Sequence, residues 1–140
     1  MIIDGTNLIL GRLATEVAKK ALLGETIEIV NVEKIIITGT KDQLLERYKL
    51  RRERGTPTSG PFFPREPHLI VKRTIRGMLP YKQAKGRDAF DRIKCHKGIP
   101  ARFDGKPLET IKEADSSSLS TKKFLTVGLL SKLMGAKWVK

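Results

Sequence analysis

Between Arg47 and Arg87 the chain carries twelve cations in 41 residues: Arg47, Lys49, Arg51, Arg52, Arg54, Arg65, Lys72, Arg73, Arg76, Lys82, Lys85 and Arg87. From Lys72 to Arg87 no carboxylate interrupts them, although a solvated helix face ordinarily interleaves acids three or four residues away. A guanidinium forks to two phosphate oxygens, and such contacts supply most of the affinity for nucleic acid without reading its sequence. The chemistry these residues suit is therefore neutralisation of a polyanion. The whole composition agrees: 28 Lys and Arg stand against 15 Asp and Glu, a net charge of +13, and residues 41–100 alone hold 16 cations and 6 acids. Nucleic acid is the commonest partner for such an imbalance, and an anionic membrane surface the next.

Other chemistries find less support. In "GTNLILGR" five residues separate Gly5 from Gly11 and Arg12-Leu13 follows, where a phosphate-binding Walker loop has four and then Lys-Ser or Lys-Thr. The stretch reads instead as a strand-to-helix turn, with Gly5 needed in the turn and a small residue at Gly11 for close helix packing. Structural zinc takes four ligands, and this chain has one cysteine and two histidines, so Cys95 is expected to be a buried structural residue. Cys95 and His96 are neighbours on a strand and point to opposite faces, which excludes a nucleophile–base pair. Asp88 and Asp91 are expected to be surface ion-pair partners of Lys85, Arg87 and Arg92. No catalytic residue, metal or cofactor is expected, and the chain is not expected to be an enzyme. One cysteine allows no internal disulfide, the N-terminus has no basic region ahead of an apolar one, and the apolar run "FLTVGLL" is far short of the ~18 residues a membrane helix needs. A cytoplasmic protein without a membrane partner is expected.

The elements that position the cations follow from hydrophobic period. "MIID" reads as a strand. Leu10, Leu13, Ala14, Val17, Ala18, Ala21 and Leu22 then recur at helical spacing, with Thr6 or Asn7 as cap and Gly24 as stop. "TIEIVNV" and "KIIITG" read as strands, the second buried on both faces. Thr40 with Gln43 is a capping-box pattern that opens a helix towards Gly55, whose first half has the apolar positions Leu44, Leu45 and Tyr48 and whose second half is nearly all charge. The proline-rich loop over 55–66 is either functional or disordered. Pro67 starts and Pro80 stops a helix whose buried face is predicted to hold Leu69, Ile75, Met78 and Leu79, leaving Lys72, Arg73 and Arg76 outward. "AKGRDAFDRI" predicts a short helix, "IKCHKGIP" a final strand, 104–123 a polar loop, and Thr126 the cap of a last helix ended by Gly135. Strands alternating with helices predict an α/β fold, a parallel sheet of about four strands flanked by helices, in one domain over 1–140 with its basic region at about 47–97. Aromatic residues are only 6% of the chain and no helix-turn-helix is evident, which favours shape and backbone recognition of folded RNA over base stacking.

"LGRLATEVAK", "SGPFFPREP" and above all "RTIRGMLPYKQAKGRDAFDRIKCHKGIP" resemble the large-subunit ribosomal protein thirteen family, in its archaeal and eukaryotic-like form. The resemblance runs over nearly all of the chain, and "RGMLP" is its specific part. It implies a three-layer α/β/α domain around a small, mainly parallel sheet, and a structural role in binding and organising large-subunit rRNA during assembly. The implied partners are that rRNA and neighbouring large-subunit ribosomal proteins, with no cofactor, small-molecule substrate or homo-oligomer. On this expectation Lys72, Arg73, Arg76, Lys82, Lys85 and Arg87 neutralise phosphates, Arg51, Arg52, Arg54 and Arg65 extend the footprint along the loop, and Arg12 joins them. Gly77 either admits RNA backbone or allows tight helix packing. Phe62 and Phe63 either wedge into RNA, contact a neighbouring protein, or pack locally.

Overall fold

Three short parallel strands form the centre of the fold: β1 (Ile2–Asp4), β2 (Ile27–Val30) and β4 (Ile93–Cys95), in the order β1-β2-β4. Ile3 pairs with Ile29 and Ile29 with Cys95, so the buried isoleucines line up across the sheet. The computed structural model describes residues 1–138. Its helices are α1 (Leu10–Leu22), α2 (Lys41–Glu53), α3 (Pro67–Arg76), α4 (Ala84–Asp91) and α5 (Val127–Leu133), a mixed α/β arrangement with five helices.

The expected four-stranded sheet is divided. The segment β3 (Ile36–Thr38) is buried as predicted, but it leaves the parallel sheet and pairs antiparallel with β5 (Phe124–Thr126). β4 is therefore not the final strand. Segment 104–123 also does more than loop around the surface. Glu109 runs beside Ile3 as an isolated parallel bridge, and Ile111 and Ala114 enter the core.

The turn after β1 differs in detail from the sequence reading. Ile9, not Thr6 or Asn7, sits at the N-cap of α1, and no side chain caps it. Asp4 organises this turn instead: its carboxylate accepts from the Thr6 amide (3.0 Å), the Thr6 hydroxyl (2.7 Å) and the Asn31 side-chain amide (3.0 Å). Burial pushes the Asp4 carboxyl up, but those bonds, with Lys34 nearby, hold it below its ordinary value. Gly5 is required because a Cβ there would lie 2.7 Å from Ile35 Cγ1. Gly11 is not required for packing, since a Cβ there would meet nothing within 4 Å. At the other helices Thr40 and Thr126 cap α2 and α5 as predicted, each accepting an amide bond from the residue three positions on.

Helix α3 is the element that presents the basic residues, and its phase differs from the sequence reading. Ile70, Val71 and Ile75 point inward, followed by Leu79 in the turn, while Leu69 and Met78 are each 43% exposed. Lys72, Arg73 and Arg76 lie three and four apart and so form one outward stripe, with Leu69 in line with them. Burying three branched side chains stabilises the helix by roughly 1.5–3 kcal/mol each, so the fold holds the stripe without help from the cations.

Candidate nucleic-acid interface

The cations of the stripe rest on aromatic rings. Lys72 Nζ is 4.6 Å from the Phe90 ring centroid and the Arg76 guanidinium 4.5 Å from that of Tyr81, while Tyr81 and Phe90 pack edge to face at 5.5 Å. Phe90 comes from α4 and Tyr81 from the turn that precedes it. That turn lies against α4 at Gly86, where a Cβ would stand 2.0 Å from the Pro80 carbonyl oxygen, so only glycine permits the approach. The same turn and helix carry Lys82, Lys85 and Arg87, all exposed. One small assembly thus positions six of the expected cations.

The cations of α2 and the following loop adjoin it. Arg51 lies over Tyr48 (5.2 Å) and Phe63 (5.7 Å), and those two rings pack edge to face at 5.6 Å. Arg51 and Arg73 line the same open cleft, which joins the two groups. Arg52 donates to the Phe63 carbonyl at 2.9 Å and so pins the loop to the helix. Burial, and then the nearby Arg65 guanidinium, lower its pKa. Arg54 is the exposed C-cap of α2. Arg65 is exposed, and its carbonyl accepts from the buried Ser131 of α5. Arg12 stands apart on α1, where it donates to Ser118 Oγ at 2.8 Å and ties that helix to the 116–118 turn.

None of these eleven cations has a carboxylate within 4.0 Å among the described residues. Ion pairs form elsewhere: Lys97 with Glu66 at 3.0 Å, and Arg102 with Glu28 at 3.2 Å beside a His96–Glu28 contact. The expected ion pairs of Asp88 and Asp91 are not formed among the described residues.

The two phenylalanines of the loop separate. Phe63 packs on the core edge, whereas Phe62 is 69% exposed. The loop itself is a tight reverse turn in which Thr56 and Gly60 exchange backbone hydrogen bonds of 3.2 and 3.0 Å. Gly55 turns it at φ +83°, where a Cβ would overlap the Gly60 carbonyl. Gly77 is exposed, and a Cβ there would come no closer than 3.5 Å to any atom, so tight packing does not require it.

His96 Nε2 is taken by Glu28, and burial pushes the Cys95 thiol up to about 12. Among the described residues no group of three or more His, Cys, Asp and Glu could hold a metal ion, and no helix is long and apolar enough to cross a membrane. The aromatic supports went unrecognised in the sequence, where 6% aromatic content argued only against stacking; their signal was Tyr48, Tyr81 and Phe90 falling near cations in three different segments. Gly86 was also missed, because its need arises from a backbone contact six residues back.

A family sequence model described as Ribosomal protein L13 matches residues 1–102. The chain belongs to the ribosomal protein L13 family. Curated relatives extend the match beyond that range. The chain is 49% identical over 138 residues to the "Large ribosomal subunit protein uL13" of Methanosarcina barkeri, covering 98% of this chain and 99% of that one. It is 47% identical over 141 residues to the protein of the same name from Methanocaldococcus jannaschii, covering 98% of each, and 44% identical over 137 residues to that of Methanococcoides burtonii. The similarity therefore includes α5 and β5, which lie past the matched segment.

Proposed function

We propose that this chain is a structural constituent of the large ribosomal subunit that binds and organises folded large-subunit rRNA through phosphate and shape contacts. The observation that carries the reading is the set of eleven cations without carboxylate partners among the described residues, ten of them on α2, α3, α4 and their connections. Unpaired cations keep their full charge for phosphate, and aromatic rings beneath Arg51, Lys72 and Arg76 reduce the side-chain freedom that binding would otherwise freeze out. The chain acts as one domain over 1–140 with an RNA-facing region at about 47–97. Lys72, Arg73, Arg76, Lys82, Lys85 and Arg87 form the centre of the footprint, Arg51, Arg52, Arg54 and Arg65 its loop side, and Arg12 an edge contact. Its partners are rRNA and neighbouring large-subunit proteins, in the cytoplasm, with Phe62 presented to one or the other. The reading assigns no catalytic step and no cofactor.

The test is filter binding of the purified chain to transcribed large-subunit rRNA and to duplex DNA of matched length across a salt series. Tighter binding to the rRNA at every salt concentration is expected. Equal affinity for both would refute recognition of folded RNA, leaving only a generic polyanion surface.

A further inference from the structure

Between α2 and α3 an open cleft of about 520 Å3 runs from the Tyr48–Phe63 ring pair to the C-terminal end of α3. Its walls are Tyr48, Arg51, Phe63 and Arg73, with Gly77 and Met78 at one lip. We infer that this cleft holds a single unpaired nucleobase extruded from an RNA strand, a role that rests on the RNA-binding reading above and gives that surface a defined subsite.

Two observations point to this occupant. The accessible surfaces are ones on which unstacked bases settle, the half-buried Phe63 ring and the exposed Arg51 guanidinium 5.7 Å from its centroid, with the buried Tyr48 ring supporting both from beneath. The lining contains two arginines and no carboxylate, whereas a second cleft along α2 is lined by Asp42, Glu46 and Glu53 with one cation, Lys49, and is net acidic. The volume falls within the roughly 300–1,000 Å3 typical of small-molecule sites, enough for a base and part of its ribose. Gly77 keeps the entrance free, and the exposed thioether of Met78 offers a polarisable edge.

The probe is an RNA hairpin carrying one bulged 2-aminopurine, compared with the same hairpin lacking the bulge. The wild-type chain is expected to bind the bulged hairpin about ten-fold more tightly, as one stacked base allows, and to quench the 2-aminopurine fluorescence. Gly77→Leu fills the entrance without a backbone clash and is expected to abolish both the preference for the bulged hairpin and the quenching. Should a thermal melt show that variant unfolded, Met78→Glu places a carboxylate at the same lip with the same expected loss. Equal wild-type affinity for the two hairpins overturns the inference and leaves the cleft to a side chain of a neighbouring protein. A bulge preference that survives in the folded variant overturns it as well, since the base then sits elsewhere. Failure to bind either hairpin refutes the RNA-binding reading itself.

Discussion

Reversing two charges on the outward stripe of α3 separates fold from function. Arg73→Glu with Arg76→Glu lowers the net charge from +13 to +9, since each reversal removes two charges. Neither arginine joins the buried face of Ile70, Val71 and Ile75, so the structural loss is confined to the contact of Arg76 with Tyr81, worth about 0.5–1 kcal/mol at an exposed site. The melting temperature should fall by no more than about 5 °C. Binding should suffer far more. Each phosphate contact contributes about 0.7–0.9 to the slope of log affinity against log salt, so two lost contacts lower the slope by about 1.4–1.8. At 0.1 M salt the same relation gives a loss of about 40-fold, before any repulsion from the new carboxylates. Fluorescence anisotropy with a large-subunit rRNA fragment, from 50 to 200 mM salt, reads both quantities. An unchanged slope would show that these arginines touch no phosphate. Loss of the far-UV circular dichroism signal would show that they belong to the core.

The remaining predictions concern the framework that holds the stripe. Gly86→Ala drives a Cβ into the Pro80 carbonyl and should destabilise the protein by about 1–3 kcal/mol, measured by urea unfolding. Gly11→Ala meets no neighbour and should stabilise it by up to about 1 kcal/mol in the same assay; a destabilised Gly11→Ala would contradict the open space described at that position. Cys95, expected to be buried, is half-buried against the core, and burial still raises its thiol, so it should react with a thiol reagent at pH 8 more slowly in the folded chain than in urea; comparable rates would show the sulfur to be accessible. Burial, then Lys97, depress the His68 pKa against the weaker pull of Glu66, so protonation favours the unfolded chain. Stability should therefore hold above the ordinary histidine value of about 6.5 and decline as pH falls below it, a decline that His68→Gln should flatten in thermal melts at pH 5.5 and 7.5.

What could be read from the sequence was local. The apolar stripe of α1 from Leu10 to Ala21, the capping threonines Thr40 and Thr126, and the Pro67 start of α3 each announce themselves within a few residues and are present in the structure, while Leu22, read as the end of that stripe, is exposed. The phase of α3 was misread at Leu69 and Met78, because a short helix with apolar residues at 69, 70, 71, 75, 78 and 79 offers two overlapping faces. Only the position of the sheet and of α1 chooses between them. The partition of β3 from the parallel sheet was invisible for a related reason: its partner, Phe124–Thr126, is three residues long and runs directly into the helix that Thr126 caps. For the interface, the cations themselves were plain in the sequence, as was the absence of acids among them. The rings beneath them were not, since Arg51 over Phe63 and Lys72 over Phe90 join residues 12 and 18 positions apart through tertiary packing.

Sedimentation of a native cell extract through a high-salt gradient tests the central claim most directly, with this protein quantified against large-subunit RNA. The account predicts about one copy per large subunit, retained when salt has screened weak surface contacts. Protein running free at the top of the gradient, with none on the subunit, would contradict it.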